Sequence, residues 1–371
     1  MTPVERLEPF DAECFLQQFW QRRPCLISGW LDPQSLSLPE LIDTASEHDL
    51  PARLITGTQE RANWILEHGP VEAGDLPESA QDWTVLVQEM DKASSRVEIV
   101  MNTFRHFLPD WMLDDIMVSH AMPGGSVGAH VDAYDVFLVQ ARGTRRWQLA
   151  TDFDSRMDER FEMALLRNWR AETELLAGPG DTLYLPAGVA HHGVAEDECQ
   201  TWSVGLRTPS GPELIFFLAE SLASTDTQGL RLKVSRPDDE LAARITPETV
   251  HQARSLMEQA LAVDDESLEL MLGQFLSSWR LWTGEGMGGD IKPVLRQLQE
   301  NISMTLDASA RIAVCGPAGQ EQVIVNGEVI ECTARMARHL AATREIDRQW
   351  LDHRAGLDQL VECGAVWLPE T

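Results

Sequence analysis

Val118-Ser-His-Ala-Met-Pro-Gly-Gly-Ser-Val-Gly-Ala-His130-Val-Asp132 reads as a strand, a glycine-rich turn and the first residues of a second strand. His130 and Asp132 stand two apart, so on an extended chain their side chains leave the same face. A second segment, Gly180-Asp-Thr-Leu-Tyr-Leu-Pro-Ala-Gly-Val-Ala-His191, brings another histidine 59 residues after Asp132. Two neutral imidazoles and a carboxylate make the facial triad that holds non-haem Fe(II) and leaves positions open for cosubstrate and O₂. A lone His-x-Asp means little. Here it lies between a glycine-rich turn and an apolar strand, with the second segment at a distance suited to a later strand of a β-barrel.

His192 adjoins His191 and points to the other face of a strand, so His191 is the expected third ligand and His192 a neighbour or an exposed residue. His120 reads as a packed or hydrogen-bonded strand histidine. His48, His68, His106, His251, His339 and His353 belong to no comparable cluster. An Fe(II) oxygenase of this kind needs a two-electron donor such as 2-oxoglutarate, whose far carboxylate wants a cation. No lysine lies between the halves of the motif, which points to an arginine, and Arg142, Arg145 and Arg146 lie together on Ala141-Arg-Gly-Thr-Arg-Arg-Trp147. In a strand Arg145 and Trp147 share one face and Arg146 takes the other; spacing alone leaves Arg145 either a carboxylate fork or a surface charge. Ser119 offers a hydroxyl nearby. The glycine run lacks the Gly-Lys-Ser/Thr ending of a phosphate loop, and no Gly-x-Ser-x-Gly elbow is present.

Outward from the motif, Phe10 to Gln21 has helical spacing and Pro24 to Trp30 reads as a strand entering a turn. From Val97 to about Pro209 short β-type runs follow: Val97–Met101, Met117–Met122, Val136–Gln140, Arg146–Ala150, Asp181–Leu185 and Thr201–Leu206. Such a series predicts an antiparallel sandwich or barrel. After Pro209-Ser-Gly-Pro212, helices are expected over Glu213–Leu222, Leu241–Arg244, Thr249–Ala262 and Leu268–Thr283. Gly284-Glu-Gly-Met-Gly-Gly289 reads as a flexible break. Strands at Ala310–Cys315 and Gln322–Val325, an Asn326-Gly327 hairpin turn, a return at Val329–Cys332 and helices at Ala334–Ala342 and Arg354–Cys363 resemble a winged-helix module.

The chain has 371 residues with a formal charge of −29, a balance that argues against a general nucleic-acid binder and favours a cationic partner or high solubility. No run reaches the ~18 apolar residues of a membrane helix. The start, Met-Thr-Pro-Val-Glu-Arg-Leu-Glu, does not read as a signal peptide, and the six cysteines form no C-x-x-C pair. A cytoplasmic protein with no membrane association is the expectation.

The segment from Asp115 to Phe137, Gly178-Pro-Gly-Asp-Thr-Leu-Tyr-Leu-Pro-Ala-Gly-Val-Ala-His191 and Trp202-Ser-Val-Gly-Leu-Arg207 resemble the bacterial ribosomal oxygenases of the YcfD type, which are JmjC-domain proteins. The resemblance implies an α+β chain. Residues 1–209 would form a JmjC oxygenase domain, a double-stranded β-helix of the cupin type with its core at about 95–209 after an N-terminal α/β extension. A helical dimerisation region (210–288) and a C-terminal winged-helix domain (289–371) would follow. It implies Fe(II)- and 2-oxoglutarate-dependent hydroxylation, with O₂, of an arginine β-carbon in the large-subunit ribosomal protein L-sixteen. His130, Asp132 and His191 match the iron ligands, and Ser119 and Arg145 the 2-oxoglutarate contacts. One departure is His192, where the family more often places an acidic residue.

A cationic substrate side chain needs an anionic or aromatic pocket, for which Asp115, Tyr134 and Ser203 are the candidates. The expected partners are a basic ribosomal protein and a second copy of the chain, without direct nucleic-acid binding. The alternatives are a JmjC hydroxylase of another protein target, such as a histidine, and a non-enzymatic cupin-like binding module.

Overall fold

A computed structural model describes residues 4–224, 231–232, 244–278, 289–366 and 368. The chain divides after Thr208 into two units, Met1–Thr208 and Pro209–Thr371.

The strands of the first unit are β1 (Glu5–Leu7), β2 (Cys25–Ile27), β3 (Ala52–Thr56), β4 (Ile65–His68), β5 (Trp83–Val87), β6 (Leu113–Ala121) and β7 (His130–Val131). They continue with β8 (Asp135–Arg142), β9 (Arg145–Ala150), β10 (Thr173–Ala177), β11 (Thr182–Leu185), β12 (Ala190–Ala195) and β13 (Cys199–Leu206). One sheet runs β1-β2-β11-β8-β13-β6-β5-β3-β4 and the other β10-β9-β12-β7. From β8 onward the chain switches between the sheets at β8–β9, β10–β11, β11–β12 and β12–β13, the winding of a double-stranded β-helix. Residues from both sheets line one cavity, so that cavity lies between them. The N-terminal strands β1 to β5 extend the larger sheet rather than forming a separate body.

Helices α1 (Ala12–Gln18), α2 (Leu38–Glu47), α3 (Met90–Ala93) and α4 (Ser95–Arg105) accompany the larger sheet. Asp11 caps α1 by accepting from Cys14 N–H, and Ser37 with Glu40 makes a reciprocal capping box on α2, each cap contributing about 1 kcal/mol. Phe15 of α1 is fully buried, its ring 5.3 Å from Phe137 of β8 and 4.9 Å from Tyr184 of β11. The Tyr184 hydroxyl donates to Asp135 and accepts the Gln21 N–H at 2.8 Å, so its polar end is satisfied inside this core.

One expected strand is a helix. Val97–Met101 lies within α4, where Val97, Val100, Met101 and Phe104 are buried at helical spacing while Ile99 is 66% exposed. Local β-branched content suggested a strand, but the period of the whole segment is 3.6, and burial follows the period.

The second unit has helices α5 (Gly211–Ser224), α6 (Pro247–Ala260), α7 (Asp265–Ser278) and α8 (Ile291–Gln299). Phe217 of α5 stacks on Phe275 of α7 with centroids 4.3 Å apart. Strands β14 (Met304–Thr305), β15 (Ile312–Cys315), β16 (Gln322–Val325), β17 (Glu328–Val329) and β18 (Glu345–Ile346) follow, with helices α9 (Ala334–Thr343) and α10 (Arg354–Glu362). β15, β16 and β17 form an antiparallel sheet, and Asn326-Gly327 turns between the last two with both φ angles positive. Leu298, Val325, Leu340, Trp350 and Leu360 share the core of this part. The expected helix at Leu241–Arg244 falls, up to residue 243, outside the described residues. So do residues 279–288, which hold the end of the helix expected to Thr283 and most of the expected break. Among the described residues no helix is long and apolar enough to cross a membrane.

Candidate metal and cosubstrate site

Register brings the triad together. His191 of β12 pairs directly with His130 of β7, so both imidazoles leave the same face of the small sheet, and Asp132 follows two residues on. The two ring centroids are 4.2 Å apart, and Asp132 Oδ2 lies 3.9 Å from His130 Nε2 and 3.7 Å from His191 Nε2. Among the described residues this is the one His/Cys/Asp/Glu cluster with ligand atoms close enough to hold an ion, all within 4.8 Å.

The backbone fixes the tautomers. His130 Nδ1 lies 3.0 Å from Gly128 O, and His191 Nδ1 3.0 Å from Val189 O. A carbonyl can only accept, so both Nδ1 atoms carry the proton, and each neutral ring presents a lone pair at Nε2. Burial, then the neighbouring His130, pushes His191 below the usual histidine range, which favours that neutral form. Gly128, with φ +77, leaves its carbonyl free for this contact; a Cβ there would press on the rings of Trp64 and the end of Leu165. The donor set, two neutral nitrogens and a carboxylate, fits Fe(II).

A cavity of about 420 Å³ opens beside the triad, and every residue singled out for the site lines it: Ser119, Arg145, Asp115, Tyr134 and Ser203 with His130, Asp132 and His191. Its walls include Val136, Leu138, Trp147 and Leu165. Arg145 is 3% exposed, and no carboxylate among the described residues lies within ion-pair distance of it. Its Nη2 reaches only Cys199 Sγ at 3.6 Å, its Nε has no partner, and the guanidinium sits 5.7 Å from the Trp147 ring. The strand alternation decides what spacing left open. Arg145, Trp147 and Leu149 are buried, whereas Arg146 points out and pairs with Glu174 at 3.0 Å and Glu196 at 2.6 Å. A desolvated guanidinium with no counter-charge is costly unless an anion meets it.

Other expectations are adjusted. The Ser119 hydroxyl donates to Thr201 O at 3.0 Å, so in this arrangement it offers the cavity an acceptor. Tyr134 is not a free platform: the Arg207 guanidinium carbon stands 4.3 Å over its ring. Burial, then Asp132, pushes the Tyr134 hydroxyl up to about 12. His192 is buried rather than exposed. It faces away from the triad, with Nδ1 3.2 Å from Gln148 Oε1, and burial pushes it down to about 4. His120 is packed on β6, its ring stacked near Trp83 and its Nε2 3.5 Å from Glu198.

Asp115 accepts the Glu89 N–H at 3.0 Å. Burial first, then Asp91 and Asp114, pushes its carboxyl up to about 7. Sequence reading missed Arg53 and Arg207 and the rim residues Glu162 to Leu165, which also line the cavity. The signal for Arg207 was its place immediately after the apolar strand Trp202–Leu206.

A family model described as a JmjC domain matches residues 100–214, a span that holds all the candidate residues. A probable ribosomal oxygenase from Haemophilus influenzae is 33% identical over 288 residues, covering 73% of this chain and 69% of that protein. The chain belongs to the ribosomal oxygenase family. A second member, the ribosomal protein uL16 3-hydroxylase of Escherichia coli, is 32% identical over 275 residues, covering 72% of this chain and 71% of that one. The crystal structure of E. coli YcfD matches with a TM-score of 0.80 and 26% identity over 98% of this chain and 99% of that one. YcfD in complex with cobalt and 2-oxoglutarate matches with a TM-score of 0.77 and 27% identity over 96% and 98% of the two chains.

Proposed function

We propose that this ribosomal oxygenase hydroxylates the β-carbon of an arginine in a basic large-subunit ribosomal protein, using Fe(II), 2-oxoglutarate and O₂. The observation that carries the reading is the buried, unpaired Arg145 in the same cavity as the His130–Asp132–His191 triad. The name of the E. coli relative, a uL16 3-hydroxylase, supports the target, and the cobalt and 2-oxoglutarate complex of YcfD supports the cosubstrate.

Bound iron, with 2-oxoglutarate and O₂, supplies the two-electron chemistry that inserts oxygen into a C–H bond and releases succinate and CO₂. The protein's part is placement. His130 and His191 would hold the metal through Nε2, with Nδ1 anchored on backbone carbonyls, and Asp132 would complete the set. Arg145 would take the far carboxylate of 2-oxoglutarate in its planar fork, with Ser119 beside it. Trp147 and the aliphatic walls would keep water from that ion pair and so strengthen it. At the other side Asp115, Tyr134 and Ser203 would receive the substrate guanidinium.

The rest of the chain suits a macromolecular partner. Ile215 and Phe216 of α5 and Val250 and Met257 of α6 are exposed apolar residues, which supports residues 210–288 as a homodimerisation region. The hairpin and helices after residue 289 support a winged-helix domain over 289–371. With a charge of −29, association with a basic protein would be steered electrostatically and slow as salt rises, in a cytoplasmic setting without direct nucleic-acid binding.

Mass spectrometry of the isolated ribosomal protein after incubation with enzyme, Fe(II), 2-oxoglutarate and O₂ tests the reading. A gain of one oxygen on an arginine, absent with His130→Ala, is expected. An oxygen on a histidine would replace the target, and no gain on any ribosomal protein would overturn the function.

A further inference from the structure

Arg207 has no part in the triad or the cosubstrate end, yet it lines the cavity. It directly follows β13, and its backbone N–H donates to Met112 O at 2.9 Å. Its guanidinium does two things at once: it lies 4.3 Å over the Tyr134 ring and is ion-paired through Nε with Asp114. Asp114 and Asp115 are consecutive on β6, so their side chains leave opposite faces of the strand. Only Asp115 lines the cavity, and among the described residues no cation stands within ion-pair distance of it.

We infer that Arg207 is the positioning residue for the substrate's cation: it holds the Tyr134 ring in place and takes up the charge of Asp114, so that Asp115 alone confronts the incoming guanidinium. This rests on the substrate proposed above. An arginine beside a cation site would ordinarily repel its ligand. Here its charge is matched by Asp114, so the carboxylate of Asp115 is not neutralised by it. The planar guanidinium also suits the ring face in a way an ammonium does not.

The arrangement has a consequence for pH. The groups around Asp115 are Asp91 and Lys92 of α3, the Glu89 N–H before it, Asp114 on its own strand, and Gly205 of β13, whose added Cβ would stand 3.6 Å from Asp115 Oδ1. Arg53, on β3, also lines the cavity. Asp91 and Asp114 both favour the protonated form of Asp115, and Lys92 opposes it. Removing Arg207 takes a cation from beside Asp114, so Asp115 would keep its proton to higher pH and meet a cationic side chain as a neutral acid.

The test is steady-state kinetics of the full-length, iron-loaded enzyme on the isolated ribosomal protein across pH 6 to 9, with melting temperatures measured beside it. Arg207→Met is expected to raise KM for the protein about tenfold or more, the combined loss of a ring contact and a charge pair. KM for 2-oxoglutarate and kcat at saturating protein should stay within about threefold, and the acidic limb of kcat/KM should move to higher pH. Arg207→Lys should restore the limb, because it keeps the charge, while recovering only part of KM. Unchanged KM and limb in Arg207→Met would overturn the inference, as would an equal rise in KM for 2-oxoglutarate, the mark of general damage to the fold. A wild-type enzyme that fails to oxidise any ribosomal protein would overturn the proposed function and this inference with it, so the two failures are told apart by the wild-type lane.

Discussion

At the Arg145 end of the cavity a guanidinium is sealed behind strands, 3% exposed and with no acid in reach, while at the Asp115 end a half-buried carboxyl sits among other acids with its ionisation balanced near neutrality. The first is a fixed charge: arginine cannot release its proton at any working pH, so that end is permanently prepared for one anion. The second depends on its neighbours, Asp91, Asp114 and Lys92, and takes its charge only above about pH 7. A cosubstrate that is always the same can be met by an invariant site. In the proposed arrangement a protein substrate would be met by a site whose charge is set by what packs behind it.

The sharpest break to this contrast comes between the two ends. Asp132→Ala removes the carboxylate of the triad and should lower turnover by about a thousandfold or more, since metal ligation carries several kcal/mol of the chemistry. Metal content measured on the purified variant should fall with it. If Asp132→Ala retained both metal and turnover, neither end would be organised around the triad.

Arg145→Met tests the fixed end. Affinity for 2-oxoglutarate should drop about a hundredfold, as expected for losing one partner of a buried charge pair. Without cosubstrate, however, the variant should melt higher than wild type, by about 1 kcal/mol or more, because it relieves an uncompensated buried charge. Adding 2-oxoglutarate should reverse the order, since ligand stabilises only the protein that binds it. Calorimetric melts with and without 2-oxoglutarate read both effects, and a variant that melts lower in both would show Arg145 to be already satisfied.

Asp115→Asn tests the adjustable end. The folded carboxyl holds its proton to about pH 7, whereas in the unfolded chain it ionises near the ordinary carboxylate value. Between those two values folding takes up a proton, so the wild type loses stability as pH rises through the window, and the loss is complete above about 7. The amide never ionises. Above pH 7 the variant should therefore be the more stable protein, by on the order of 1 kcal/mol or more, with the difference vanishing toward pH 4. It should also bind the ribosomal protein more weakly at pH 8, where the wild-type carboxylate is charged. Equal melting curves at all pH values would remove Asp115 from the titrating set.

The smallest effect is expected outside both ends. Arg146 neighbours Arg145 but points into solvent against Glu174 and Glu196. Arg146→Ala should leave KM for 2-oxoglutarate and for the protein unchanged, with at most a small shift in melting temperature. A change in either KM would contradict the alternation on which the assignment of Arg145 rests.

Sequence carried much of this because the motif is local. His130, Asp132 and the turn before them lie on one short run, and period-two alternation is enough to place their side chains. Arg145 was the harder case: whether its face is the inner or the outer one depends on the pairing of β9 with β10 and β12, which no single segment states. The stack of Arg207 on Tyr134 was illegible for the same reason, since it joins the end of β13 to the loop before β8. Val97–Met101 failed differently, because five residues rich in β-branched side chains hide a helical period that shows only when Phe104 is included. His192 was placed on the right face, but its burial against Gln148 follows from how β9 and β12 align.

The account stands most directly on where metal and cosubstrate sit, because the cavity offers three arginines, Arg53, Arg145 and Arg207, to one carboxylate. Diffraction from crystals of the wild-type protein soaked with cobalt and 2-oxoglutarate decides among them. The prediction is one anomalous peak bonded to His130 Nε2, His191 Nε2 and Asp132, with the far carboxylate of 2-oxoglutarate held by Arg145. A peak away from this triad, or a carboxylate resting on Arg53 or Arg207, would contradict it.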